Sequence, residues 1–350
     1  MVKEKKELFA RIVLILFCLT IFSACFWAMN QTYDPLARYP YANDQNREKI
    51  LTYLDSDDID YIISNQIHPD EFMDFIDVPG FDIRYCRLYT LCKETQNQEN
   101  DYIVNFVNRY RTHFTAGSLE TLLKHYSYLD LTTFYENEMT NNPTLKLVED
   151  PTWPLLVLNN RTSVYKYAPQ DLVSGHGIFL KQEAMDAYED MNNAYKSMLE
   201  SSDSLVLEKG YTAYENIFTE YTSLSTVSPE YVDTVFLPAG ENEFQLGYTV
   251  ALEGYNQWRT QVLSQEEVYK DHQYDLILDA LDQTIRSKIS WLEENAYRFG
   301  FVVRYPRGKE SQTGHAYDPF VLRYVGKENA KAMKEKDNVM EQMNFSEELE

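Results

Sequence analysis

Phe299-Gly300-Phe301-Val302-Val303-Arg304-Tyr305-Pro306-Arg307-Gly308-Lys309-Glu310, followed two residues later by Thr313-Gly314-His315-Ala316-Tyr317-Asp318-Pro319-Phe320-Val321-Leu322-Arg323-Tyr324-Val325-Gly326, decides how the C-terminal half of this chain is read. Upstream, Ile285 to Phe299 has the apolar spacing of an amphipathic helix. Gly300 stops that helix, and Gly300 to Tyr305 reads as a strand before Pro306. Working outward, Tyr248 to Leu252 is a strand candidate between Gly247 and Gly254, and Leu205-Val206-Leu207 is another. Glu183 to Leu199 reads as a helix, and Leu155 to Leu158 as a strand running into an Asn159-Asn160 turn. Strands and helices mixed in this way predict an α+β domain over 150–326, with a charged helical tail over 327–350.

Asn141-Asn142-Pro143 and Asp150-Pro151 mark a boundary ahead of that domain. Before it, helical patterns recur at Ile50, Leu51 and Leu54, at Phe72, Phe75 and Ile76, at Ile103 to Val107, and at Leu119, Leu122 and Leu123 behind a Ser118 cap. They predict a small all-helical domain over 47–145, joined by a polar linker over 30–46. His68, His113 and His125 are scattered through it and suggest no site.

Residues 1–29 begin with a basic tip, and Ile12 to Met29 carries no charge. Eighteen such residues reach the short end of a bilayer span, and flanking Lys and Arg predict a cytoplasmic N-terminus with residues 30 onward outside. The expected state is a single-pass anchor at the cell membrane. A lipoprotein cleaved ahead of Cys25 and a secreted form with a cleaved signal are the alternatives. The first eleven residues carry Lys3, Lys5, Lys6 and Arg11 against Glu4 and Glu7, so the total of −23 leaves the remainder near −25. An exterior that acidic repels phosphate backbones and speaks against nucleic acid. Cys86 and Cys92 fall in the exported part, where an oxidising compartment would allow a disulfide.

The residues alone show no nucleophile elbow, phosphate loop or His-rich metal motif. Several ordered segments do carry a resemblance. Leu156 to Asn160 with Tyr167-Ala168-Pro169-Gln170-Asp171-Leu172-Val173, Gly210-Tyr211-Thr212-Ala213-Tyr214-Glu215, Pro238 to Gly247, Trp291 to Ala296 and the stretch quoted above are together similar to the VanY-type D-alanyl-D-alanine carboxypeptidase family. The resemblance implies a central antiparallel sheet flanked by helices. It also implies a zinc held by a His, an Asp seven residues later and a distant His, with a Glu three residues before the last as general base. Such a site needs three protein ligands and an open position, and it activates water and polarises the scissile carbonyl.

At those positions this chain has Phe244, Ala251 and Val321, with Asp318 in the place of the base. None of the three can donate an electron pair to a metal. Where the family pairs an Arg with the peptide's carboxylate, the chain has Thr212, and a neutral hydroxyl does not replace a bidentate guanidinium. Tyr211, Tyr214, Glu243, Gln245, Arg304, Tyr305 and His315 are the candidate groove residues. A relocated metal set would have to come from His176, Glu243, His315 and Asp318. The expectation is a catalytically inactive pseudopeptidase at the cell surface, without a cofactor, binding a cell-wall peptide or a partner protein. The alternatives are an active zinc D,D-carboxypeptidase with an atypical ligand set, and a scaffold in a wall-enzyme complex.

Overall fold

The structure is a computed structural model that describes residues 2–30, 34–199 and 203–343. The chain divides into two compact units, Met1–Ala116 and Gly117–Glu350.

The first unit opens with helix α1 (Val2–Asn30). Within it, Arg11–Met29 is long and apolar enough to cross a membrane, a test that a signal sequence also passes, and it is exposed along its whole length. Four short helices follow: α2 (Arg47–Tyr53), α3 (Ser56–Ser64), α4 (Cys86–Thr95) and α5 (Asn100–Tyr110). Ile50 of α2, Ile59 and Ile62 of α3 and Cys86 of α4 form one core with Phe72 and Ile76, which lie in a run of turns and not in the expected helix, and with Ile83. The segment expected to be a polar linker joins this core through Leu36 and Tyr39, and the Tyr39 hydroxyl donates to the Ile67 carbonyl. His68 accepts from the Asp70 amide and so caps the turn Pro69–Glu71. Cys86 and Cys92 lie on the same helix, α4. Six residues of helix separate their Cα atoms by about 9 Å, beyond the reach of a disulfide. That geometry answers the pairing left open by the sequence.

Helix α6 (Ala116–His125) starts two residues ahead of the expected Ser118 cap and straddles the division between the units, which the expected 47–145 domain also crosses. After α7 (Tyr128–Thr133) and α8 (Met139–Asn141) come the short paired strands β1 (Lys146–Leu147) and β2 (Thr162–Ser163). Strands β3 (Leu172–Gly175) and β4 (Ile178–Lys181) form a hairpin whose two loop residues, His176 and Gly177, both have positive φ. A two-residue loop of that conformation matches the twist of the strands. The hairpin escaped the sequence reading because His-Gly replaces the usual Asn-Gly.

Helix α9 (Gln182–Leu199) leads to the main sheet of β5 (Leu207–Lys209), β6 (Thr249–Leu252), β7 (Phe301–Tyr305) and β8 (Asp318–Tyr324), ordered β5-β6-β8-β7 and antiparallel throughout. Between these strands lie α10 (Tyr214–Val227), α11 (Tyr255–Ser264), α12 (Glu266–Asp271), α13 (Asp275–Leu278), α14 (Gln283–Asn295) and α15 (Glu310–Thr313). The α+β class, with an antiparallel sheet flanked by helices, is therefore as expected.

Two local readings are corrected. Leu155 to Leu158 is not a strand, although Leu155, Leu156 and Leu158 are buried. Arg323 donates to the carbonyls of Pro154 and Leu156, at 2.7 and 3.2 Å, and the Leu158 amide donates to Glu243, so side chains serve backbone groups that a ladder would have paired. The charged tail forms α16 (Lys327–Lys336) and the turn Met340–Gln342, and Ala330, Met333 and Met340 pack with Leu155 and Val325. Its charges occupy the outer face of a seated helix. Residues 344–350 lie outside the described residues.

Candidate functional site

The sheet register sets the site. Lys209 pairs with Ala251 across β5 and β6, and Ala251 pairs with Val321 across β6 and β8. Residues directly opposite on adjacent strands project to the same face, so Lys209, Ala251 and Val321 form a row across three strands. Phe244 comes from the 3₁₀ turn Glu243–Leu246, whose entry Asn242 caps by accepting from the Phe244 amide at 3.1 Å. Gly247 closes the turn at φ 80°, a left-handed position that suits glycine. Phe244, Ala251 and Val321 are all buried. The rings of Phe244 and Tyr255 lie 5.8 Å apart. Phe236, Phe244, Tyr255, Tyr305, His315 and Val321 surround a void of only ≈ 10 Å³, at the lower limit for one water.

Asp318 opens β8 and is also buried. Its Oδ1 accepts from the Phe320 amide at 2.9 Å, and its Oδ2 has no hydrogen-bond partner. Burial pushes its carboxyl up to about 7 against the pull of that amide and of Arg259. The acid is thus protonated over much of the range where a base would be needed. His315 stacks on Tyr305 at 3.6 Å, with planes 9° apart. Its Nδ1 lies 2.8 Å from the Ala316 carbonyl, which can only accept, so Nδ1 carries the proton. Burial lowers its pKa to about 4 and keeps the ring neutral.

Several candidate groove residues hold the fold instead. Arg304 donates to both oxygens of Glu243 at 2.9 Å, and to Glu341 at 2.6 and 3.2 Å. Arg323 approaches Glu243 at 3.9 Å. These two cations draw the Glu243 carboxyl below its usual range despite full burial. Gln245 accepts from the Gly240 amide and donates to the carbonyls of Tyr165 and Tyr167. Glu243, Gln245, Arg304, Tyr305 and His315 are thus buried parts of the core, not the lining of an open groove. The resemblance of their segments suggested a groove, but paired charges and a satisfied amide can be buried.

Tyr211, Thr212 and Tyr214 are half-buried near the start of α10. Gly210 lets the chain run against β4, where a Cβ would meet Ile178 at 2.6 Å and the Phe179 carbonyl at 2.9 Å. The Thr212 amide donates to the Phe244 carbonyl, and its hydroxyl to Gly210. Among the described residues, no three His, Cys, Asp or Glu side chains converge as a metal set. His176 and His272 are both left-handed turn residues, near Tyr188 and Tyr274 respectively. The side chains of Phe244, Ala251 and Val321, at the positions where the resemblance implies ligands, have no donor atom for zinc.

The sequence reading missed Lys209, Glu220 and Arg259. Glu220 bridges Lys209 and Arg259, meeting Arg259 Nη1 at 2.6 Å. Lys209 lies 4.8 Å from the Phe236 ring centre and 5.2 Å from that of Phe244. Alternation in β5 gave no signal for it, because the register shifts between Leu207, which pairs with Leu252, and Lys209, which pairs with Ala251. Arg259 sits on α11, which the sequence reading did not delimit.

Comparison with known proteins places this unit. Residues 177–327 match the family model "VanY: D-alanyl-D-alanine carboxypeptidase". The chain is 28% identical over 230 residues to the Bacillus subtilis (strain 168) protein named "Putative carboxypeptidase YodJ", covering 62% of this chain and 76% of that protein. It is 38% identical over 78 residues to a D-alanyl-D-alanine carboxypeptidase of Enterococcus faecium, covering 21% of this chain and 26% of that protein. A solved structure described as "Structure of the LdcB LD-carboxypeptidase reveals the molecular basis of peptidoglycan recognition" is 25% identical, with a TM-score of 0.44, over 57% of this chain and 88% of that one.

Proposed function

From the premise that the chain carries a VanY-family D-alanyl-D-alanine carboxypeptidase domain, we propose that it is a catalytically inactive, membrane-anchored pseudopeptidase that binds a cell-wall peptide outside the cell. The observation that carries this reading is the packing of Phe244, Ala251 and Val321 where the family holds its metal. Three side chains without lone pairs supply no ligand, and the space between them is filled. Asp318 keeps an acid at the base position, but one that burial holds protonated to about pH 7. The binding part of the proposal is supported by the likeness to enzymes named for D-alanyl-D-alanine and by the half-exposed Tyr211 and Tyr214.

An active zinc peptidase with an atypical ligand set is the competing reading, and the carboxypeptidase names of the relatives favour it. Binding is tested by sedimenting the detergent-solubilised full chain with purified peptidoglycan. Retention that a soluble stem pentapeptide competes away supports the cell-wall ligand. A chain that stays in the supernatant, or is held indifferently to the peptide, contradicts it.

A further inference from the structure

The row Lys209–Ala251–Val321 places an ammonium group on the face where the family's metal would lie. Arg259 approaches from α11, and the Phe236 ring has Lys209 at 4.8 Å and the Arg259 guanidinium at 4.9 Å. Glu220 gives one oxygen to each cation, Oε2 to Lys209 and Oε1 to Arg259. The other hydrogen-bond partners of Arg259 are neutral, Asn256 Oδ1 at 2.9 Å and the Tyr255 hydroxyl at 3.4 Å, while the carboxyl of Asp318 acts on Arg259 and that of Glu208 on Lys209 through space. Two cations therefore share one carboxylate.

We propose that Lys209 and Arg259 form a carboxylate-binding clamp that Glu220 fills in the free protein and that a ligand's carboxylate takes over. The proposal rests on the reading that this domain binds a peptide, and it names the group recognised. Two observations point to a ligand beyond a structural ion pair. Arg259, whose side chain is only 7% exposed, keeps Nε buried and without a partner, so the clamp has an unused donor. Glu220 is the outermost member, its side chain 26% exposed against 12% for Lys209, so its departure uncovers the cations from the solvent side.

The helix that carries Glu220 suits such an exchange. Within α10 only Ile217 is buried, while Phe218 and Val227 are 56% and 72% exposed. Little apolar burial anchors it, and elements of that kind open at low cost. Thr212 cannot take the carboxylate role, because it is uncharged and its hydroxyl is already given to the Gly210 carbonyl. Lys209 lies three residues upstream and, with Arg259, supplies the charge that Thr212 lacks.

The test titrates the full chain in detergent with N-acetyl-D-alanine and with its amide, following heat of binding. In Glu220→Gln the internal competitor loses its charge, so the acid should bind at least tenfold tighter than to wild type while the amide stays unchanged. Adding Lys209→Met should remove that gain. Equal affinity of acid and amide, or no gain in folded Glu220→Gln, overturns the clamp. If Glu220→Gln does not fold, Glu220→Asp, too short to span both cations, should show a smaller gain of the same sign, and its absence overturns the proposal equally. Peptidoglycan retention separates the two readings. A gain for the acid without retention keeps the clamp and removes the cell-wall ligand. Retention without acid selectivity does the reverse.

Discussion

Asp318 keeps a carboxyl where the resemblance implies a Glu base, in a buried setting that holds it protonated. Burial raises its carboxyl from the ordinary value of 3.8 to about 7. The folded state therefore binds the extra proton between those limits. That contribution to stability is complete below the unfolded value and is lost as pH rises through about 7. His315 acts in the opposite sense, because its pKa falls to about 4 and the unfolded state binds the extra proton up to about 6.5. Asp318→Asn removes the first contribution alone. Relative to wild type, the variant should gain about 1.4 kcal/mol per pH unit between pH 4 and pH 7. Urea midpoints across that range measure this, and parallel profiles for the two proteins would refute it. The sequence supplied the position of Asp318 but not its burial. The same holds for Phe244, Ala251 and Val321, whose chemistry was legible as residue types, while their burial, with Phe244 and Val321 closing on a ≈ 10 Å³ void, was not.

At the scale of elements, the buried ion cluster does the work that a strand was expected to do. Glu243 lies in the 3₁₀ turn, Arg304 in β7, Arg323 in β8 and Glu341 in the last described turn, with the 154–158 segment bonded to Arg323 and Glu243. Glu243→Ala leaves two buried guanidinium groups without their shared carboxylate, and removing one partner of such a pair typically costs about 3–5 kcal/mol. Denaturant unfolding should show a loss of that size, and a smaller one for Glu341→Ala, whose side chain is part-exposed. A change below about 1 kcal/mol for Glu243→Ala would contradict the role given to the cluster. Long-range partners of this kind leave no periodic trace, which is why Leu155 to Leu158 looked like a strand. Helix α4, for which the sequence reading named no period, decides the cysteine question. Unfolding without reductant should let alkylation label both Cys86 and Cys92. A mass matching a closed disulfide would mean that α4 is not a continuous helix.

For the whole molecule, the order of an N-terminal apolar helix, a helical module and an α+β domain was legible from hydrophobic period, charge and the Gly-Pro punctuation. The seated C-terminal helix and the inclusion of Leu36 and Tyr39 in the first core were not, because isolated apolar residues in polar stretches carry no periodic signal. The cationic row was also hidden. Lys209 becomes notable only when β5 is laid beside β6 and β8. On the proposed reading, the molecule is a peptidase frame with apolar side chains at the implied metal-ligand positions, and Lys209 stands in the same row across the sheet. The most direct measurement is metal content together with D-alanine release from a stem pentapeptide, on the full chain purified without chelator and supplied with zinc. The account predicts zinc well below one atom per chain and no D-alanine above the protein-free control. One zinc per chain, with D-alanine release that a chelator abolishes and zinc restores, would contradict it.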